Sequence, residues 1–373
     1  MIDSIVDKIN YRFIQNKDSF NFFINHKANA RHTLKTGMYT DAYHFNFTDS
    51  IYNQDGNNRF KTRIDHQGVD VLLQPFAQWQ FKPLATLSLT AGLRGQYFTL
   101  SNSFAIEPRA GIDWQFAEKQ SLSFGFGMHS QIQPTYIYFQ RQYGANGSYR
   151  LPNEDLGFTR SNHYVLGYDL SLGRNLRLKA ETYFQKLYDL PVEKEPSSYS
   201  IINEGNTFAR FFPDELVNEG TGRNYGLELT LEKFFSNSFF YMFTGSLYDA
   251  TYVASNGKRY NSDFNGNYML NLLGTKEFKW GEKNKHTFGV GGKVTWGGGQ
   301  RYTPVDTAAS EAAGEVVGID SLRNSKQFKD YFRADIKLNY AICRRQPKGA
   351  QGEPARLPAD LLLQGGFLML VSL

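Results

Sequence analysis

Five acidic side chains and one basic side chain recur at alternate positions of strand-like segments. Glu228 and Glu232 lie on the same side of the segment 222–250, separated there by Thr230. Paired carboxylates can act as general acid and base, as they do in glycoside hydrolysis. On a strand, the same spacing also produces a polar surface, because the side chains of alternate residues point to the same face of the sheet. We favour the polar surface, predict no catalytic residue, and assign these side chains to the wall that lines a wet lumen: Glu107, Arg109, Asp113, Glu181, Glu228 and Glu232.

The seven histidines do not have the clustered spacing of metal ligands. His129 and His163 flank one long connection and could meet there. The glycines between 289 and 299 are similar to a phosphate-binding loop only superficially, since no Lys-Ser/Thr pair follows them. The sequence therefore predicts neither a metal site nor a cofactor.

The segment PTYIYFQRQYGANGSYR (134–150) is the best candidate for ligand contact. Aromatic rings offer large flat contact surfaces for a sugar or a chelate, and the arginines nearby suit anions. Packing of this loop against itself is the alternative, and the sequence does not decide between the two. The candidate contacts are Tyr136, Tyr138, Phe139, Arg141, Tyr143, Tyr149 and Arg150.

Most of the chain alternates between apolar and polar residues with a period of two. In the segment 222–250, Leu227, Leu229 and Leu231 alternate with Glu228, Thr230 and Glu232, and Ser236-Asn237-Ser238 interrupts the pattern. Such alternation indicates β-strands with one apolar and one polar face. About twelve segments repeat it, so the sequence predicts an all-β protein.

Composition excludes several other classes. Hydrophobic residues make up 41% of the 373 residues, mean hydropathy is −0.48, and the chain contains no apolar run long enough for a membrane helix. The net charge of +5 is scattered rather than concentrated in a basic patch, so we predict no nucleic-acid partner. The single cysteine, Cys343, excludes an intrachain disulfide framework.

Short and long connections alternate along the chain. Those near 82–84, 117–121, 173–175, 236–238 and 279–285 are short, and those near 49–68, 132–162, 190–223, 252–264 and 298–328 are long. Only the join near 100–103 breaks this rule. Tight periplasmic turns and long extracellular loops are typical of an antiparallel up-and-down transmembrane β-barrel, with leucines in outer-membrane lipid. Tryptophans beside the short turns, Trp79, Trp114 and Trp280, predict an aromatic girdle at the membrane interface.

Two runs, ARHTLKTGMYTDAYHFNFTDS (30–50) and GTGRNYGLELTLEKFFSNSFFYMFTGSLYDA (220–250), with the polar loop after LYDLPVE, resemble the C-terminal part of a TonB-dependent receptor. The resemblance covers about residues 10–342 and is closest to the large receptors of Bacteroidetes-type bacteria. It implies a 22-stranded barrel around an N-terminal plug. It also implies two partners of the full-length parent, the TonB energy-transducing complex and a scarce nutrient such as a metal chelate, vitamin or glycan. No plug is recognisable here, so the resemblance implies a fragment.

The sequence divides into three parts under this interpretation. Residues 1–31 form a partial strand or loop leading into the barrel, 32–342 form barrel strands with long extracellular loops, and 343–373 form an atypical tail outside the native barrel. The N-terminus lacks the apolar core of a signal peptide, so an outer-membrane location implies that the true start is missing. Two alternatives stay open: a small self-contained barrel acting as a passive channel or rim enzyme, and a soluble all-β binding protein.

Overall fold

The computed structural model describes residues 8–53, 59–205, 212–342 and 371–372, and most of these residues are in β-strands. The strands are β1 (Ile9–Lys27), β2 (His32–Asn53), β3 (Arg59–Leu84), β4 (Leu87–Phe98), β5 (Ser103–Ala117), β6 (Gln120–Gln131), β7 (Gln142–Tyr143), β8 (Tyr149–Arg150), β9 (Thr159–Ser171), β10 (Leu176–Glu193), β11 (Leu216–Ser236), β12 (Phe239–Val253), β13 (Arg259–Asn261), β14 (Tyr268–Trp280), β15 (His286–Gly297), β16 (Arg301–Tyr302), β17 (Lys326–Gln327), β18 (Tyr331–Ile342) and β19 (Val371–Ser372). The helices are α1 (Thr307–Ala313) and short 3₁₀-helices at Thr135–Phe139, Ile201–Asn203, Glu282–Asn284 and Asp320–Leu322. Within these ranges, no helix has the length and apolar character needed to cross a membrane.

The long strands form one antiparallel sheet in the order β1-β2-β3-β4-β5-β6-β9-β10-β11-β12-β14-β15-β18. The short strands β13 and β19 pair with β12 and β18. Each long strand pairs with the long strand before it in the chain, so the sheet is a simple meander. In the part of the chain that the structure describes, β1 and β18 do not pair with each other. The predicted all-β antiparallel meander is confirmed.

Strand β1 is an addition to the predicted strands. The sequence analysis assigned 1–31 to a partial strand or loop, whereas β1 has 19 residues and pairs along its whole length with β2. Its alternation is hidden because phenylalanine occupies both faces, with Phe13 and Phe23 on one and Phe20 and Phe22 on the other. The predicted tail at 343–373 lies outside the described residues, apart from the two residues of β19.

The sheet has one apolar face and one charged face. On β11, Leu227 and Leu229 belong to the apolar face and are 52% and 39% exposed, whereas Glu228 belongs to the charged face. The register extends this division across the sheet, because Leu227 pairs with Leu247 of β12 and Glu228 pairs with Glu181 of β10.

The connections are short at one end of the sheet, here called the turn end. Between β11 and β12, Asn237 and Ser238 have φ of 53° and 59°, the two consecutive positive values of a two-residue hairpin turn that matches the strand twist. Most connections at the opposite end, the loop end, are long: 132–158, 194–215, 254–267 and 298–330. The long connection predicted near 49–68 is wrong, because β2 and β3 stay paired up to Asn53 and Arg59.

The main buried cluster lies at the loop end, between the charged face of the sheet and the loops that fold over it. Its strand members include Phe45, Phe47 and Phe98, and the loops contribute Ile137 and Phe139 among others. A smaller cluster joins Leu190 of β10, Tyr252 of β12 and Tyr260 of β13. Packing therefore anchors the long loops, whereas the apolar face of the sheet contributes little to either cluster.

Candidate functional site

The best-connected charged group on the charged face is Glu107 of β5, whose side chain is 1% exposed. Its carboxylate accepts hydrogen bonds from the backbone N–H of Ser130 at 2.6 Å, from Arg109 at 2.8 Å and from Gln96. A second guanidinium, that of Arg94, lies 3.9 Å away. The carboxylate is therefore held in place by fixed donors, an arrangement that stabilises this part of the sheet.

His129 and His163 meet on this face, with ring centroids 4.6 Å apart. The Nδ1 of His129 lies 3.3 Å from Arg109, and His163 contacts Ser161 at 2.8 Å and Gln185 at 3.4 Å. Within the described ranges, no three His, Cys, Asp or Glu side chains gather as metal ligands. The nearby guanidinium of Arg109 would also repel a metal cation. These contacts therefore form a hydrogen-bonded network on the charged face.

The other predicted lumen side chains lie on the same face but do not meet at one point. Asp113 is exposed towards the turn end of β5. Glu181 forms an ion pair of 2.7 Å with Lys179, and Glu181 and Glu228 line one open cavity of about 440 Å³. Glu232 is half-buried on β11. The structure thus distributes the predicted carboxylates over several strands.

A larger open cavity of about 700 Å³ covers the charged face of β1–β5. Four basic side chains and one acidic side chain contribute to its lining: Lys17, Lys35, Arg94, Arg109 and Asp41. Asp41 lies 3.6 Å from Lys17, and Glu107 lies 2.8 Å from Arg109 and 3.9 Å from Arg94. Four basic side chains thus face two carboxylates, which leaves this part of the face with excess positive charge. This part of the face is suited to polar or anionic surfaces.

The aromatic segment 134–150 turns two of its predicted contact residues inward. Tyr138 is 1% and Phe139 is 4% exposed, and both belong to the main buried cluster. The Tyr138 hydroxyl accepts a hydrogen bond of 3.1 Å from the backbone N–H of Gln133, and burial raises the pKa of Tyr138 to about 12. This placement corrects the expectation that these two rings face a ligand: the rings anchor the loop, because they fill the space above Phe45 and Phe98.

The remaining members of the segment lie closer to solvent. The guanidinium of Arg141 lies over the ring of Tyr149 at 4.1 Å, and Tyr149 is half exposed. The Tyr143 hydroxyl donates to the Thr62 carbonyl at 2.8 Å. Tyr136 packs partly against the main cluster. These residues form a continuous aromatic and basic surface at the loop end.

An ion-pair cluster closes the loops beside this surface, and sequence reasoning missed most of it. Glu215 accepts from Arg150 at 2.6 Å and from Lys194 at 3.0 Å. These hydrogen bonds lower the pKa of the Glu215 carboxyl to about 2, and the same contact raises the pKa of Arg150. The partners are more than 20 residues apart, so no local spacing in the sequence indicates the pairing.

A second missed contact lies at the root of the loops. A β-bulge leaves Arg63 of β3 without a paired residue between Ile64 and Thr62. Arg63 donates to the buried carboxylate of Asp49 at 2.6 Å, and its guanidinium lies 3.7 Å from the ring centre of Phe212. No pattern in the sequence indicates this pair, because both positions fell in the predicted loop 49–68.

Aromatic side chains form a row at each end of the apolar face. At the turn end, Trp79, Trp114 and Trp280 are 44–48% exposed. At the loop end, a second row includes Phe104, Tyr164, Phe184, Tyr225, Trp296 and Phe332, and the sequence analysis did not predict it. Trp114 and Phe104 are ten residues apart on β5, about 33 Å of strand.

Comparisons with known proteins agree with this architecture. A family model described as TonB dependent receptor-like, beta-barrel matches residues 3–348. Similar solved structures include the ferric yersiniabactin uptake receptor FyuA from Yersinia pestis, with TM-score 0.60 and 12% identity over 89% of this chain and 47% of that chain. They also include the FrpB iron transporter from Neisseria meningitidis, with TM-score 0.61 and 14% identity over 88% and 49%. The outer membrane transporter YddB from Escherichia coli gives TM-score 0.57 and 11% identity over 87% and 48%.

At these identities the structural likeness shows the fold alone, and the chain spans about half the length of each of these structures. No curated protein gives a significant match. The family match covers nearly the whole chain, so the predicted resemblance to a TonB-dependent receptor barrel is confirmed, whereas the Bacteroidetes-type assignment and the fragment stay predictions. The family consists of outer-membrane receptors rather than enzymes, in agreement with the interpretation of the carboxylates as wall residues. The chain belongs to the TonB-dependent receptor-like β-barrel family.

Proposed function

We propose that the apolar face contacts outer-membrane lipid and that the charged face lines the interior of a barrel larger than the part described. The two aromatic rows that bound the apolar face carry this proposal. At the strand tilt of about 40° typical of outer-membrane barrels, the roughly 33 Å of strand between the rows spans about 25 Å, the height of the apolar band of such barrels. In this arrangement Trp79, Trp114 and Trp280 form the periplasmic girdle, and the predicted lumen residues face the interior. The long loops at the loop end are then extracellular.

Adjacent residues of β11 test this orientation. Leu229→Arg places a charge near the middle of the lipid band, about 13 Å of strand from Tyr225, and is expected to destabilise the chain folded in lipid vesicles by about 2–4 kcal/mol. Glu228→Arg places the same cationic side chain one position away, on the water-filled side, and is expected to cost less than about 1 kcal/mol. Urea unfolding in vesicles measures both variants. Equal losses for the two variants would contradict the assignment of lipid to the apolar face.

The complete receptor, on this proposal, binds a scarce nutrient at the loop end and imports it with energy from the TonB complex. Relatives in fold include an iron transporter and a ferric yersiniabactin uptake receptor, which supports a metal chelate before a vitamin or glycan. Tyr149 and Arg150 supply the exposed contacts, and Tyr136 and Arg141 lie partly buried beside them. Together they combine aromatic rings with cations that suit an anionic chelate.

Uptake by cells that make the complete receptor tests nutrient binding. Replacing Tyr149 and Arg150 together by Ala is expected to weaken uptake of the cognate chelate by about tenfold or more, because a ring contact and a cationic contact are both lost. Replacing the exposed pair Tyr302 and Lys326 of the β16–β17 hairpin by Ala is the matched control and is expected to leave uptake unchanged. If uptake is unaltered in both variants, with equal amounts of receptor at the cell surface, Tyr149 and Arg150 do not contact the nutrient. Uptake that continues after collapse of the proton gradient would instead support a passive channel.

A further inference from the structure

Three basic side chains lie on adjacent strands of the apolar face, just beyond its loop-end aromatic row. The row continues from Tyr164 on β9 to Phe184 on β10 and Tyr225 on β11, which are Cα partners in that order. Two residues further towards the loop end, Lys186 pairs with Arg223. Arg160 of β9 pairs with Tyr188, two residues beyond Lys186, so it lies diagonally across from that lysine.

The pairing of Lys186 with Arg223 is unfavourable as it stands. Like charges directly opposite each other on neighbouring strands are destabilising. Both side chains are exposed, and in the described residues neither lies within ion-pair distance of a carboxylate. The Arg223 guanidinium lies 5.8 Å from the ring centre of Tyr225. The described part of the chain therefore supplies no counter-charge at ion-pair distance to this pair of cations.

Neighbouring groups complete a set of hydrogen-bond donors. Arg160 donates to the Phe104 carbonyl at 3.0 Å and lies 3.5 Å from Asp189, which holds its guanidinium beside the pair. The Tyr188 hydroxyl donates to the side-chain oxygen of Asn162 at 3.4 Å, and the amide of Asn162, the Cα partner of Lys186, lies beside that lysine. Cations with an amide form a surface that suits a tetrahedral anion with several acceptor oxygens.

We propose that Lys186 and Arg223, flanked by Arg160, bind the phosphate of a phosphorylated lipid headgroup in the outer leaflet. The proposal rests on the lipid contact proposed for the apolar face. Position selects a lipid over a soluble anion: the pair lies about 7 Å along the strand beyond Phe184 and Tyr225, where headgroups meet the aromatic row. The phosphate supplies the counter-charge, and the acyl chains cover the apolar residues towards the turn end.

Binding of phosphatidic acid by the full chain in phosphatidylcholine vesicles tests the proposal. Lys186→Gln with Arg223→Gln is expected to weaken binding about thirtyfold, since each basic group near a membrane surface contributes about fivefold. Lys293→Gln with Lys337→Gln removes two cations from the charged face and is expected to leave binding unchanged. The swap of Lys186→Arg with Arg223→Lys keeps both charges and is expected to retain binding, even if the double Gln variant fails to fold.

Protease protection of the wild-type chain in the same vesicles separates this proposal from the one on which it rests. A chain that does not insert overturns both. A chain that inserts without preferring phosphatidic acid to phosphatidylcholine overturns the phosphate site alone. Equal losses in the two double Gln variants would also overturn it. Displacement of the lipid by excess inorganic phosphate would assign the pair to a free anion instead.

Discussion

The Glu107 cluster allows a quantitative test of how the charged face is stabilised. Replacing Glu107 with Ala removes the acceptor for the Ser130 N–H, the Gln96 amide and the Arg109 guanidinium. Hydrogen bonds to a charged group contribute about 1.5–3 kcal/mol each, and removal of one partner of a buried ion pair costs about 3–5 kcal/mol. The arginine side chains are 28% and 40% exposed and can recover water, so the lower end applies. We expect Glu107→Ala to lower the free energy of unfolding by about 3 kcal/mol.

The assay is equilibrium unfolding in urea of the chain folded in detergent or vesicles, followed by tryptophan fluorescence. Glu107→Gln keeps an acceptor for Ser130 while losing the charge, and we expect an intermediate loss of about 1–2 kcal/mol. Glu181→Ala is the matched control on the same face: its ion pair with Lys179 is about one third exposed on both sides, so the loss should not exceed about 1 kcal/mol. If the two Ala variants lose equal stability, the buried cluster does not stabilise the wall, and the reasoning is refuted.

Three further outcomes are expected. Asn237→Ala should destabilise the β11–β12 hairpin by about 1–2 kcal/mol in urea unfolding. At a φ of 53° the Cβ of alanine crowds the following carbonyl, and alanine lacks the polar side chain with which asparagine tolerates this conformation. Asn237→Gly has no Cβ and should be tolerated. Tyr138→Phe should cost about 1–2 kcal/mol and speed amide exchange at Gln133, whose buried N–H loses its acceptor. The folded pKa of Glu215, about 2, lies below its ordinary 4.5, so this contact stabilises the loop above about pH 4.5 and is lost as pH falls towards 2. Amide exchange of that loop should rise over this window, and Arg150→Gln should weaken the pH dependence.

The two faces were predictable from the sequence because they depend only on the pleat. Leu227 and Glu228 must lie on opposite sides of any strand that contains both, and the register then carries the pattern from strand to strand. The turn at Ser236-Asn237-Ser238 was predictable for a similar local reason, since polar residues that tolerate positive φ interrupt an alternating run.

The extent of β2 and β3 was not predictable in the same way. Beyond about His44 and Gln67 these strands carry polar residues on the outer side as well, including Asn46 and Asp65. Between 49 and 68 the inner side holds the charged Asp49 next to the apolar Ile64, both buried, and the outer side is polar. Alternation of apolar and polar residues is therefore lost there, so a paired strand and a polar loop have the same pattern. The backbone pairing that decides between them joins Asn53 to Arg59, on either side of residues outside the described part.

The roles of the aromatic residues in 134–150 also depend on partners distant in sequence. Phe139 packs against Phe45, and Tyr138 against Phe98, so burial of these rings requires strands that precede them by about 40 residues or more. Tyr149 has similar chemistry and stays exposed. Residue type therefore identified a segment rich in aromatic contacts, and only the tertiary structure separates loop anchors from exposed surface.

The charged face and the long loops share the same strand ends at the loop end, and this connects the position of the loop 132–158 to the Glu107 cluster. Glu107 accepts from the backbone of Ser130, and Gln96 donates to the Ser130 carbonyl at 2.9 Å. Two residues beyond Gln96, Phe98 packs against the ring of Tyr138. The loop 132–158 thus begins next to Ser130, whose backbone is held by Glu107 and Gln96. It then packs back onto β4, the strand that contains Gln96, through the contact of Tyr138 with Phe98. A ligand that contacts this loop therefore meets a surface fixed to the charged face, which a loop tethered only at its ends would not provide.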